Sequence, residues 1–121
     1  MNVWMVVGYG DYESSYADNV FVNKDDAINS LISTTFQAWS MKSYDRETCR
    51  YVGEPYIYIE GHKIGYDEFV NKVRDYITSK NLNNLSLWAG STRMAEIFPY
   101  WNDRNFYVDS WFSLKEVPLK E

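Results

Sequence analysis

From residue 27 to residue 39 the buried-type side chains follow one spacing. Ala27, Ile28, Leu31, Ile32, Thr35, Phe36 and Trp39 recur every three or four positions, which is one stripe of an α-helix. Asn23 belongs to the residue types that cap helix N-termini, and Asp25 and Asp26 follow where the helix dipole favours acids. The spacing predicts a helix over 24–41. So wide a stripe must be covered, and strands on either side of it in the sequence can supply the cover. Val3-Trp4-Met5-Val6-Val7 is apolar on both alternating faces, as in a strand covered on both sides. Asn19–Val22 predicts a second short strand, with the polar, Gly-containing segment between them as a long hairpin loop.

The rest of the chain continues the alternation. "SYDRETCR", residues 43–50, reads as a polar loop. Pro55 precedes Tyr56–Glu60, a strand by its aromatic and β-branched content. Gly61 allows a tight turn, and Lys63-Ile64 returns as a short partner strand. Phe69, Val70, Val73 and Ile77 mark a second amphipathic helix, ended by "NLNN". A short third helix starts near Ser91 and stops before Pro99. Phe106, Val108, Phe112 and Leu114 alternate with Tyr107, Asp109, Trp111 and Ser113, as in a final strand with one face in the core. The order β-β-α-β-α-α-β predicts an α+β fold: a mainly antiparallel sheet with two main helices and one short helix on one face. The expected boundaries are one domain over 1–117 and a short tail over 118–121, since 121 residues suit one domain and one core.

Charge and cysteine content narrow the classes of function. The net charge is −5, and the twelve Lys and Arg are scattered rather than gathered into the basic stripe that phosphate binding requires. Nucleic acid is therefore not an expected ligand. Cys49 is the single cysteine, which rules out an internal disulfide and points to a cytoplasmic location. The opening "MNVWMVVGYGD" has neither a basic n-region nor a long apolar run, so no signal peptide and no membrane span are expected. The aromatic content is 18%, with eleven Tyr and five Trp. That exceeds what a core of this size hides comfortably, and Tyr and Trp are enriched at binding surfaces.

Gly8-Tyr9-Gly10 raises the question of a phosphate-binding loop. Such a loop must lead from a strand into a helix N-terminus. Here Asp11-Tyr12-Glu13 and then a strand follow, and the acids would repel phosphate. The glycines belong to a hairpin. Strand, Gly-x-Tyr, a tyrosine-rich loop, "VF" and then "KDDA" opening a helix resemble a group of small uncharacterised proteins of bacteria and phages. The likeness covers about a quarter of the chain, and the loop "DYESSY" departs from it by an extra acid and serine. It implies a compact α+β domain of phage or mobile-element type, with no activity attached. "PYIYIEGHKIGYDEF" resembles the second half of a glutaredoxin. That chemistry needs a low-pKa cysteine after the first strand, and no cysteine stands before Cys49, so the likeness reduces to a shared hairpin-to-helix turn.

The remaining candidates are few. His62 is the only histidine and stands in a turn, without the partners that a triad or a zinc site needs. Asp11, Glu13 and Asp18 carry oxygen ligands, but their spacing matches no metal loop, and a solvated hairpin tip accounts for them. No nucleophile–base pair or metal cluster emerges, so neither enzymatic activity nor a cofactor is expected. The leading expectation is a non-catalytic binding protein, phage or mobile-element encoded, that docks on a host protein and inhibits a host or defence process. Self-association is a further use of the same aromatic surface. Tyr100, Trp101, Arg104, Tyr107 and Trp111 are its expected contact residues, because the segment after Pro99 must turn and turns lie on the surface. The alternative is a binder of a nucleotide-like anion through Trp88, Ser91, Thr92 and Arg93. There a helix start offers free N–H groups, and Arg93 sits against the dipole unless an anion or Glu96 meets it.

Overall fold

The computed structural model describes residues 1–10, 13–102, 108 and 110–119, with the backbone alone over 13–18. The elements in chain order are β1 (Asn2–Gly10), β2 (Glu13–Phe21), α1 (Lys24–Trp39), β3 (Met41–Asp45), β4 (Arg50–Ile59), β5 (His62–Gly65), α2 (Tyr66–Ser79), β6 (Leu85–Leu87), α3 (Thr92–Ile97) and β7 (Ser110–Pro118). The α+β class holds, with antiparallel pairing between all neighbouring strands. The strands form two sheets, one ordered β2-β1-β7-β6 and the other β3-β4-β5.

The first sheet is built around β1. It pairs with β7 along its whole length, from Asn2 opposite Pro118 to Gly10 opposite Ser110. On its other side Trp4 stands opposite Phe21 and Gly10 opposite Glu13. The hairpin therefore runs much further than a long loop between short strands. Gly8 and Gly10 are strand residues, and Asp11 and Tyr12 lie outside the described residues. β7 also runs past the expected domain boundary: Pro118 still pairs with Asn2, and the Leu119 N–H donates to the Met1 carbonyl at 2.9 Å. Of the expected strand start, Phe106, Tyr107 and Asp109 lie outside the described residues.

α1 lies across this sheet as its pattern requires. Asn23 Oδ1 accepts from the Asp25 N–H at 2.8 Å and the Asp26 N–H at 3.4 Å, which caps two otherwise unpartnered donors. All seven residues of the stripe are buried. All but Thr35 share one hydrophobic core with Val6, Leu85, Leu87, Phe112 and Leu114 of the sheet. Thr35, polar but fully buried, turns its hydroxyl back to the Leu31 carbonyl at 2.7 Å. α2 adds Phe69, Val73 and Ile77 to the same core, which also takes in Ile57, Ile59 and Ile64 of the second sheet. Phe69 is the meeting point: its ring lies 5.6 Å from Phe36 and stacks on Phe98 at 5.9 Å. The β4–β5 turn has Glu60 at φ +49 and Gly61 at φ +80, the left-handed pair of a two-residue hairpin, which explains the glycine. Among the described residues no helix is long and apolar enough to cross a membrane.

Candidate binding groove

The segment "MKSYDRETCRYVGE" folds as an arm rather than a loop. β3 and the first half of β4 pair antiparallel, with Tyr44 opposite Tyr51 and Asp45 opposite Arg50. Asp45 makes the turn: one carboxylate oxygen accepts the Glu47 N–H and the other accepts the Thr48 hydroxyl, each at 3.0 Å. Cys49 completes it in the left-handed region at φ +55. Nearer the body, Met41 stands opposite Tyr56 and Ser43 opposite Val52, so β4 carries extra residues over this stretch, Gly53 at φ +83 among them. Such an irregularity bends a ribbon and re-aims its side chains.

Every residue from Met41 to Glu54 is exposed except the half-buried Asp45. A two-stranded ribbon without a buried face is marginal in water by itself. Side chains hold this one: the Tyr44 and Tyr51 rings meet edge to face at 5.3 Å, the Ser43 and Tyr56 hydroxyls lie 3.3 Å apart, and Lys63 sits 4.7 Å above the Tyr56 ring. The apolar side chains on the arm still face solvent, Tyr51 at 70% and Tyr44 at 53%. They contribute little to the core, so core packing does not account for them.

At the root of the arm lies a groove of about 630 Å³, within the range of ligand-sized sites. Phe36, Met41, Tyr51, Pro55 and Tyr66 line it. Gln37, Lys42 and Glu54 supply its polar groups. Tyr66 is held in place by Phe36, edge to face at 5.3 Å, and by Ser33, whose hydroxyl lies 3.0 Å from its own. Lys42, Arg46 and Arg50 balance Asp45, Glu47 and Glu54, so the arm is neutral on a chain of net charge −5.

The residues singled out from the sequence are distributed differently. Trp101, expected in an exposed turn, is buried; its indole N–H donates to the Ala89 carbonyl at 2.9 Å and its ring lies 5.9 Å from Trp39 and 5.8 Å from Phe98. The turn after Pro99 does form, but the core lacked a cover at that point and Trp101 supplies it. Tyr100 is half-buried, stacked on His62 at 3.8 Å, and donates to Glu68 at 3.2 Å. Desolvation, reinforced by the Glu68 carboxylate, pushes its pKa up to about 12. Trp111 is half-buried and stacked on Tyr9 at 5.4 Å. Arg104 and Tyr107 lie outside the described residues, as do Asp11 and the side chains of Glu13 and Asp18.

The second constellation is brought together only in part, at Ser91 and Thr92. Ser91 is the N-cap of α3 by position, but its hydroxyl makes no capping bond. Arg93 lies 5.9 Å from the Tyr76 ring rather than on Glu96, whose carboxylate accepts from the Tyr76 hydroxyl at 2.6 Å. Burial and that Glu96 bond raise the Tyr76 pKa, and Arg93 works against the rise. Trp88 projects into solvent, Thr92 is exposed, and Trp101 faces the core. A small cavity is lined by Ser91, Thr92 and Trp101, but Trp88 and Arg93 are not among its walls.

The groove residues escaped sequence reading because a ribbon exposed on both faces carries no inside–outside alternation. The available signal was the aromatic pair flanking a polar turn, Tyr44 and Tyr51 around "DRETCR". Among the described residues no group of three or more His, Cys, Asp or Glu side chains gathers to hold a metal ion. No protein-family model, curated protein or solved structure matches this chain.

Proposed function

We propose that this chain is a non-catalytic binding protein that recognises a protein partner with the β3–β4 arm and the groove at its root. One observation carries the proposal: residues 41–54 form an ordered ribbon whose tyrosines are solvent-exposed and fill no core. Tyr side chains presented on a braced scaffold, beside a concave apolar surface, are the usual anchors of protein interfaces. The bend at Gly53 and the Asp45 turn fix where those anchors point.

The test is comparative capture from a bacterial lysate, with wild type and the double variant Tyr44→Ser/Tyr51→Ser as baits. Both side chains are exposed, so the core keeps its fold, checked by circular dichroism, and hydrogen exchange over β3 and β4 checks that the arm stays paired without the Tyr44–Tyr51 ring contact. A protein retained by wild type and lost from the variant supports the assignment. Capture that does not depend on the two tyrosines removes the arm from the interface.

A further inference from the structure

We infer that the partner seated on the arm and groove is a second copy of this chain, in a two-fold arrangement where each arm enters the other copy's groove. This rests on the arm being a recognition surface and adds the identity of its occupant. Shape is the first support. One face of the molecule carries both a projection, the ribbon ending at Arg46–Cys49, and a recess beside its root. A surface holding both halves of a fit can pair with itself, residue i meeting j while j meets i.

Area is the second support. Tyr44, Tyr51 and Tyr66 are exposed at 53, 70 and 45%, which at roughly 200 Å² per aromatic side chain leaves about 340 Å² uncovered. Met41 and Val52, exposed at 53% and 43%, extend the same arm. With the bordering Gln37, Lys42 and Glu54 the surface approaches the roughly 600 Å² per copy at the lower edge of specific interfaces. Such a dimer forms and dissociates with concentration rather than being permanent.

Charge is the third. Two molecules of net charge −5 repel wherever their acidic surfaces meet. The arm, with three cations and three anions, is a neutral surface on which that repulsion is least.

The experiment is light scattering on the full chain across a concentration series at physiological salt, with hydrogen exchange on the same samples. The wild-type mass is expected to climb from 14.3 kDa toward twice that value, with amides of β3 and β4 gaining protection as it does. Tyr44→Ser/Tyr51→Ser, with hydrogen exchange at low concentration showing β3 and β4 still paired, should hold the mass at the monomer value, and Trp88→Ser, exposed and outside the groove, should leave the climb unchanged. A wild-type mass fixed at the monomer value throughout overturns the inference, as does a dimer that survives the double variant. A monomeric chain whose lysate capture still needs Tyr44 and Tyr51 sinks the second copy and leaves the recognition surface standing. If neither association nor capture depends on them, both assignments fall.

Discussion

Trp101→Ala should destabilise the protein severely, although the sequence places Trp101 in a turn. The side chain is 7% exposed and fills the space between Trp39 and Phe98. Removing a buried Trp ring costs about 3–5 kcal/mol, through lost transfer free energy and the cavity left behind. The variant also strips the Ala89 carbonyl of the indole N–H it accepts at 2.9 Å, which adds about 1 kcal/mol if no water replaces it. Against a total stability of roughly 5–15 kcal/mol for a domain, that is a large fraction. For a chain of this length the melting temperature should drop by about 10–30 °C, taking roughly 3–5 °C per kcal/mol. Urea denaturation followed by far-UV circular dichroism, with and without the substitution, measures the loss. Trp101→Phe keeps a six-membered ring in the site and loses the five-membered half with its N–H, so its cost should lie between wild type and Trp101→Ala. A midpoint shift equivalent to less than about 1 kcal/mol for Trp101→Ala, at unchanged slope, would show that Trp101 does not cover the core.

Gly53→Ala should cost about 1–2 kcal/mol, because an L side chain at φ +83 is strained although nothing lies within 4 Å of the added carbon; hydrogen exchange should place the loss in the arm. Above pH 10 the stability should fall. The folded-state pKa of Tyr100, about 12, lies above the unfolded value near 10, so its contribution is complete below pH 10 and is lost as pH rises toward 12; Tyr76, shifted the same way, adds to the slope. Tyr100→Phe should flatten that fall, and an unchanged slope in the variant would remove Tyr100 as its source. Cys49→Ser should change stability by no more than about 0.5 kcal/mol, since the exposed Sγ makes only a 3.6 Å contact with the Arg46 carbonyl.

Periodicity settled the parts of this protein that are covered on one side. The α1 stripe, Phe69, Val73 and Ile77 of the α2 stripe with Val70 at its half-buried edge, and Phe112 and Leu114 of β7 appear in the core, because burial imposes the same period on sequence and structure; Ser113, expected on the open face, is buried too, with its hydroxyl 2.6 Å from that of Ser86. The Asn23 cap and the Gly61 turn were legible for the same local reason: each satisfies a backbone need at its own position. Three things lay beyond local pattern. The division of the strands into two sheets depends on which edges meet, and β7 closes on β1 from more than a hundred residues away. The inward turn of Trp101 depends on a gap between Trp39 and Phe98 that exists only once α1, α3 and the chain after Pro99 are in place. The arm and its groove were hidden most completely. A ribbon wet on both faces imposes no alternation on its residues, and the groove arises only where Phe36, Tyr51 and Tyr66, distant in sequence, are brought to one place by packing.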